Sequence, residues 1–270
     1  MPARDNPPMR IPGSLSRLAF AFALALIEPR SARALESRVL QVGESGYRVV
    51  TLDLGHDALD VYWLDADGRP YANIEALKRK GEAEHRNLLF AANAGIYDRD
   101  YRPLGLTIAD GKVLRPLNTV RVAGRSGNFG MQPNGVFYVD RQGHAGVVTT
   151  ADWQARGIDA RVATQSGPML VIDGTINSGF VEDSDSRKWR SGVCARTADE
   201  VVFAVSEVPV TFHAFARAFR DELGCGNALY LDGTLSQIYT ATEGYSGAPA
   251  VMVKPYAGML AVFANMPASQ

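Results

Sequence analysis

Strand-length apolar runs that end abruptly in turn chemistry constrain this chain more than any other feature. Leu88–Ala92 stops at Asn93-Ala94-Gly95, Met169–Ile172 at Asp173-Gly174, and Ala228–Leu231 at Asp232-Gly233. Val136–Val139 begins just after Pro133-Asn134-Gly135, and Val201–Val205 is a further run of the same kind. Runs this short, bounded by Gly, Pro, Asn and Asp, read as buried strands rather than helices. Tyr47–Leu54 and Ala58–Leu64 alternate well enough to be strands joined around Gly55-His56.

Helices are few. Asn73–His85 is rich in Glu and Lys and reads as a solvated helix. In VTFHAFARAFRDELG, apolar Phe212, Phe215, Ala216, Phe219 and Leu223 keep helical spacing, with Thr211 as N-cap and Gly224 as stop. The opposite face carries Arg217, Arg220 and Asp221, so one side packs on a sheet and the other meets water. Many strands and few helices, in no regular alternation, predict an α+β fold. The expectation is a single domain with a mixed, largely antiparallel sheet and a few packed helices.

The first residues carry a different signal. Arg10 and Arg17 precede the apolar run Leu18–Ile27, and Ala32-Arg33-Ala34 offers a small-x-small cleavage site before Leu35. That layout predicts a secretory signal peptide over 1–34, with Met9 as an alternative start, and a mature domain over 35–270. The apolar run falls short of the roughly 20 residues that span a bilayer, so no stable membrane span is expected after cleavage, with an uncleaved anchor as the alternative. The predicted destination is the periplasm or the exterior. Cys194 and Cys225 lie in the mature chain, where one disulfide and two buried thiols are both open.

Composition removes several functions. The formal charge is −1, no Lys/Arg-rich run appears, and aromatics are not interleaved with basic residues, so nucleic acid is not an expected partner. Neither phosphate-cradling glycine loop nor a G-x-S-x-G elbow is present. His56, His85, His144 and His213 have no ligand spacing, and His213 belongs to the amphipathic helix. Asp98-x-Asp100 and the trio Glu182, Asp183 and Asp185 read as solvated loop acids, although a hard cation would suit such groups. The sequence requires no cofactor and leaves a divalent cation open.

What remains is a set of polar residues at turns beside strand ends. They are Asn93 and Gly95, Pro103 and Gly105, Asn128, Asn134, Gln165-Ser166-Gly167-Pro168, Arg190-Ser191-Gly192, and Asp232-Gly233. Each is compatible with a plain turn. Together they form an inventory of amides and hydroxyls for sugar hydroxyls, with arginine for phosphate. That inventory fits a sugar-phosphate or glycan ligand.

These junctions occur in the order NAGIY (93–97), P-x-G (103–105), NFGMQPNGVF (128–137), ATQSGPMLVIDG (163–174), RSGV (190–193) and ALYLDG (228–233). In that order they resemble the phosphodiester glycosidase family, over roughly residues 45–265 and closest to its exported bacterial branch. The resemblance implies a hydrolase that breaks the bond between anomeric carbon and phosphate in a sugar-1-phosphodiester. Ala94 and Ile96 depart from the family's Asn-Gly-Gly-Phe segment, and Thr234 stands where a second glycine is usual. Arg190 and Asp232 are the expected catalytic residues, Arg190 for the phosphate and Asp232 for water or the anomeric carbon. Asn93, Gly95, Asn128, Gln165, Ser166, Gly167, Arg187, Gly233, Thr234 and Ser236 are the expected substrate-binding residues. A non-catalytic envelope module for glycans or sugar-phosphates, and a metal-dependent phosphodiesterase, are the alternative functions.

Overall fold

The computed structural model describes Met1 and residues 35–120, 127–252 and 255–266. Residues 2–34 of the expected leader lie outside the described residues, and Ala34–Gln270 forms a compact unit by itself. In chain order the unit begins with β1 (Glu36–Val42), β2 (Ser45–Asp53), β3 (Leu59–Tyr62), α1 (Ile74–Ala83) and β4 (Arg86–Asn93). Next come β5 (Thr107–Ala109), β6 (Lys112–Arg115), β7 (Gly135–Asp140), β8 (Ala145–Thr149), α2 (Thr150–Arg156) and β9 (Ala160–Ser166). They are followed by β10 (Met169–Ile172), β11 (Thr175–Ile176), β12 (Arg190–Ala195), β13 (Glu200–Ser206) and α3 (Phe212–Arg217). The last strands are β14 (Ala228–Gly233), β15 (Gln237–Thr240), β16 (Gly244–Gly247) and β17 (Met259–Asn265).

The strands form three sheets, in the orders β1-β2-β13-β12-β14-β10-β11, β16-β15-β4-β17-β3 and β6-β5-β9-β7-β8. The fold is α+β, as expected, and every strand pairing among the described residues is antiparallel. Alternation explains the layering, because successive side chains on a strand point to opposite faces. One face of each sheet meets a shared core containing Leu52, Phe203, Val193 and Leu229 from the first sheet, Phe90 and Leu260 from the second, and Phe137 and Val162 from the third.

Each outer face has its own helix. Phe215 and Phe219, on α3 and the wide turn of Ala218–Glu222 that continues it, pack on Cys194, Val202 and Tyr230. Ile74 and Leu77 of α1 cover Leu88, Met259 and Phe263 of the second sheet. Trp153 of α2 lies against the outer face of the third, with Val136 and Val148. The Thr211 hydroxyl caps α3 by accepting from the Ala214 amide at 3.1 Å, and Asn73 caps α1 by accepting from Ala76 at 2.8 Å.

One expectation needs correction. Tyr47–Leu54 and Ala58–Leu64 are both strands, but they belong to different sheets and do not form a hairpin. Asp173-Gly174 does turn a hairpin between β10 and β11, with φ of 46° and 76°. Asp232-Gly233 does not: β14 lies in the first sheet and β15 in the second, so the chain crosses between sheets at this point. Cys194 and Cys225 form a disulfide, tying β12 to the segment that leads from α3 into β14.

Candidate active site

The crossing from β14 to β15 positions Asp232. Between Ser191 and Gly192 the register of β12 against β14 slips: Gly192 pairs with Tyr230, yet Ser191 pairs with Asp232. The extra residue, Leu231, makes a bulge, and bulges re-aim side chains. Asp232 thereby shares the side of Ser191 and Leu231, toward the shared core, while Tyr230 remains on the α3 side. Ser191 donates its hydroxyl to Asn93 Oδ1 at 3.1 Å, which brings the end of β4 to the same place.

Asp232 Oδ1 accepts from the Gly233 amide at 2.7 Å, whereas Oδ2 is sealed from solvent with no hydrogen-bond partner. Burial disfavours the charged form, and that single backbone contact does not offset it, so the carboxyl pKa is pushed up to about 7. Tyr97, Tyr230 and Tyr256 are held in the neutral phenol form by burial first and by the Asp232 charge second. Asn93 Nδ2 is another buried atom without a partner. An unbonded buried donor and an unbonded buried acceptor at adjoining strand ends are costly in a dry core and appropriate where a ligand completes them.

Beside this centre opens a cleft of about 510 Å³, lined by Asn128, Asp232, Gly233, Thr234, Leu235, Val251 and Met252. Four of the expected site residues therefore meet on one wall. Asn128 donates to the Tyr230 hydroxyl at 3.1 Å. Gly233 lies so close to that hydroxyl that any Cβ would collide with it, which is why glycine is needed there. The Ser236 hydroxyl donates to the Asp232 carbonyl at 2.7 Å, and Ser166 donates to the Leu231 carbonyl at 3.0 Å, so both brace the crossing.

Other expected residues occupy supporting positions. Arg190 is 1% exposed, with Nε donating to the Val210 carbonyl at 2.9 Å and Nη2 to the Ser186 carbonyl at 3.0 Å. Its guanidinium stacks 3.6 Å from the centre of the Phe212 ring and flanks Tyr230. Burial lowers its pKa, and the neighbouring Tyr230 partly opposes that shift. Arg190 is therefore behind Tyr230 rather than on the cleft wall, although Nη1 is buried without a hydrogen-bond partner.

Gln165 is fully engaged with the protein. Oε1 accepts from the Leu106 and Asn118 amides at 3.0 and 2.8 Å, and Nε2 donates to the Asn118 carbonyl and the Thr150 hydroxyl at 2.8 and 3.2 Å. Gly167 packs on Asn134, and Gly95 packs on Ser166 and Thr164; in both places the neighbour leaves little room for a side chain. Arg187 is exposed on the loop between β11 and β12.

The acidic stretches behave as loop groups. Asp98 Oδ1 accepts from the Asp100 and Arg102 amides at 2.9 and 3.0 Å, and Glu182, Asp183 and Asp185 are exposed. Among the described residues no three His, Cys, Asp or Glu side chains gather as a metal site. No described helix is long and apolar enough to cross a membrane.

Residue-by-residue reading missed Tyr97, Tyr230 and Tyr256 around the carboxyl, and the Leu235, Val251 and Met252 wall. Tyr97 and Tyr230 stand inside the NAGIY and ALYLDG segments, and that adjacency was the available signal. Tyr256 and the Val251-Met252 wall come from a later stretch, flanked by Gly247, Pro249, Pro255 and Gly258, that carries no charged side chain other than Lys254 and no side-chain amide at its turns.

A family model described as phosphodiester glycosidase matches residues 86–263. The chain belongs to the phosphodiester glycosidase family. A relative, the uncharacterized protein YigE of Escherichia coli K12, is 32% identical over 228 residues, covering 84% of this chain and 85% of that protein. Solved structures share the fold. The catalytic domain of zebrafish N-acetylglucosamine-1-phosphodiester α-N-acetylglucosaminidase, auto-inhibited by its pro-peptide, superposes with a TM-score of 0.60 at 15% identity, over 86% of this chain and 84% of that one. A hypothetical protein from Synechocystis gives 0.54 at 14% identity, over 85% of this chain and 61% of that one.

Proposed function

We propose that this phosphodiester glycosidase is an exported enzyme that hydrolyses the anomeric C–O bond of a sugar-1-phosphodiester, with Asp232 as its general base. The observation that carries this reading is the Asp232 carboxyl, whose Oδ2 has no protein partner and which borders the 510 Å³ cleft. A base is most effective when its pKa lies near the working pH, and a value of about 7 meets that condition. Ordinary glycosidases need a second carboxyl to protonate the departing oxygen. A phosphomonoester leaves as an anion whose second ionisation falls near pH 6, so a single carboxylate suffices here.

The remaining residues take roles consistent with their positions. Asn93 Nδ2 and Asn128 offer amides to sugar hydroxyls or phosphate oxygens. Arg190 supplies positive charge from beneath Tyr230 and holds that ring against Gly233, acting through Tyr230 and Asn128. Export is supported by the leader-like residues 1–34 and by the Cys194–Cys225 disulfide, which suits an oxidising compartment. The test is a product assay on the chain beginning at Leu35, using an α-glucose-1-phosphodiester and its α-N-acetylglucosamine counterpart, each with and without chelator. Free sugar should appear, and Asp232→Ala should reduce its release by at least about 100-fold. Sugar-phosphate as product, with sensitivity to chelator, would replace this reading with a metal-dependent phosphodiesterase.

A further inference from the structure

Six non-glycine residues among those described have positive φ: Ala72, His85, Tyr101, Asp110, Asp173 and Thr234. Only Thr234, at 50°, is β-branched, the side-chain type least compatible with the left-handed region. It lies on the cleft wall two residues from Asp232. The conformation is fixed by its surroundings. The Thr234 amide donates to the Trp189 carbonyl at 2.9 Å, Ser236 holds the Asp232 carbonyl, and the Tyr256 hydroxyl donates to the Leu235 carbonyl at 3.1 Å. Leu235 also returns its amide to the Gly233 carbonyl. No hydrogen bond of the Thr234 hydroxyl to another described residue accompanies these contacts.

A glycine would adopt this backbone without strain, so the threonine side chain is held there at a cost to stability. Strain of this kind concentrates where a side chain meets a ligand. We propose that Thr234 is a specificity-determining residue whose hydroxyl and methyl contact the bound sugar directly. Its Oγ1 pairs with a sugar hydroxyl, and its methyl occupies the space that a bulkier acylamino substituent would need. The inference rests on the glycosidase reading and deepens it: the favoured substrate presents a hydroxyl, not an acylamino group, against this wall.

The experiment compares wild type with Thr234→Gly, Thr234→Ser and Thr234→Val on two substrates, an α-glucose-1-phosphodiester and its α-N-acetylglucosamine counterpart. Melting temperature is read alongside kcat/KM. Thr234→Gly should melt about 2–4 °C higher as the strain is relieved. It should also shift the kcat/KM ratio by about 10-fold or more toward the N-acetylated substrate, within the range that small changes in pocket volume produce. Thr234→Val should lower kcat/KM for the glucose substrate, and Thr234→Ser should retain most of it. A stabilised Thr234→Gly with an unchanged substrate ratio would overturn the inference while leaving the glycosidase reading intact. A folded wild-type protein that releases sugar from neither substrate would overturn both.

Discussion

Asp232 joins two properties that rarely coexist in one carboxyl, a buried unbonded oxygen and a position on a cleft wall. Because burial raises its pKa to about 7, kcat/KM should rise with pH through about 7 and level off above it, as the base ionises. In Asp232→Asn that limb should vanish along with most of the activity. Stability should show the opposite trend. The folded pKa lies above the ordinary carboxylate value of about 3.9, so the native state retains a proton that the unfolded chain has lost. The associated stabilisation is complete below about pH 4 and is lost as pH rises through about 7. Urea midpoints at pH 5 and pH 8 should therefore differ less in Asp232→Asn than in wild type. The residue itself was legible in the sequence, since a carboxylate at a strand end beside Gly233 drew attention. Its environment was not, because the burial that raises its pKa, and the tyrosines Tyr97, Tyr230 and Tyr256 that feel its charge, come together only after folding.

Strand ends and turns, not strand interiors, assemble the site, and several of the sequence's polar junctions turn out to be joinery. Gln165 at the end of β9 is the clearest case. Removing its amide in Gln165→Ala would leave the Leu106 and Asn118 amides without their acceptor. At about 1–3 kcal/mol for each orphaned donor, a loss of about 2–6 kcal/mol is expected in chemical denaturation. An unchanged midpoint would show that water replaces the amide. Nothing in the Gln-Ser-Gly-Pro segment distinguishes an amide that faces a ligand from one that faces the backbone of Leu106. Arg190 lies behind Tyr230 for a related reason. Alternation along β12 puts Arg190 and Ser191 on opposite faces, and the face with room for a large cation belongs to Phe212 and Tyr230. The one-residue slip that turns Asp232 away from Tyr230 leaves no mark in composition or periodicity, whereas α1, α3 and most strands do.

At the scale of the whole molecule, the sequence conveyed the fold class because short punctuated strands have few alternatives. It did not convey the division into three sheets, since sheet membership depends on pairings across long stretches of chain. The disulfide joins partners 31 residues apart. A loop of that length corresponds to roughly 3–4 kcal/mol, so the double variant Cys194→Ala/Cys225→Ala should melt on the order of 10 °C lower. Activity below that transition should persist, because neither cysteine borders the cleft. The crossing at Asp232–Ser236 has a consequence for assembly. Asn93 comes from the second sheet, Ser191 and Asp232 from the first, and Ser166 from the third, so no sheet alone carries a fragment of the site able to hold a ligand. Substrate can then reward only the completed molecule: a bound sugar-phosphate would raise the free energy of global unfolding and leave partly assembled chains without any benefit. Ligand-induced protection from hydrogen exchange should accordingly appear in all three sheets together, with no one sheet protected ahead of the others.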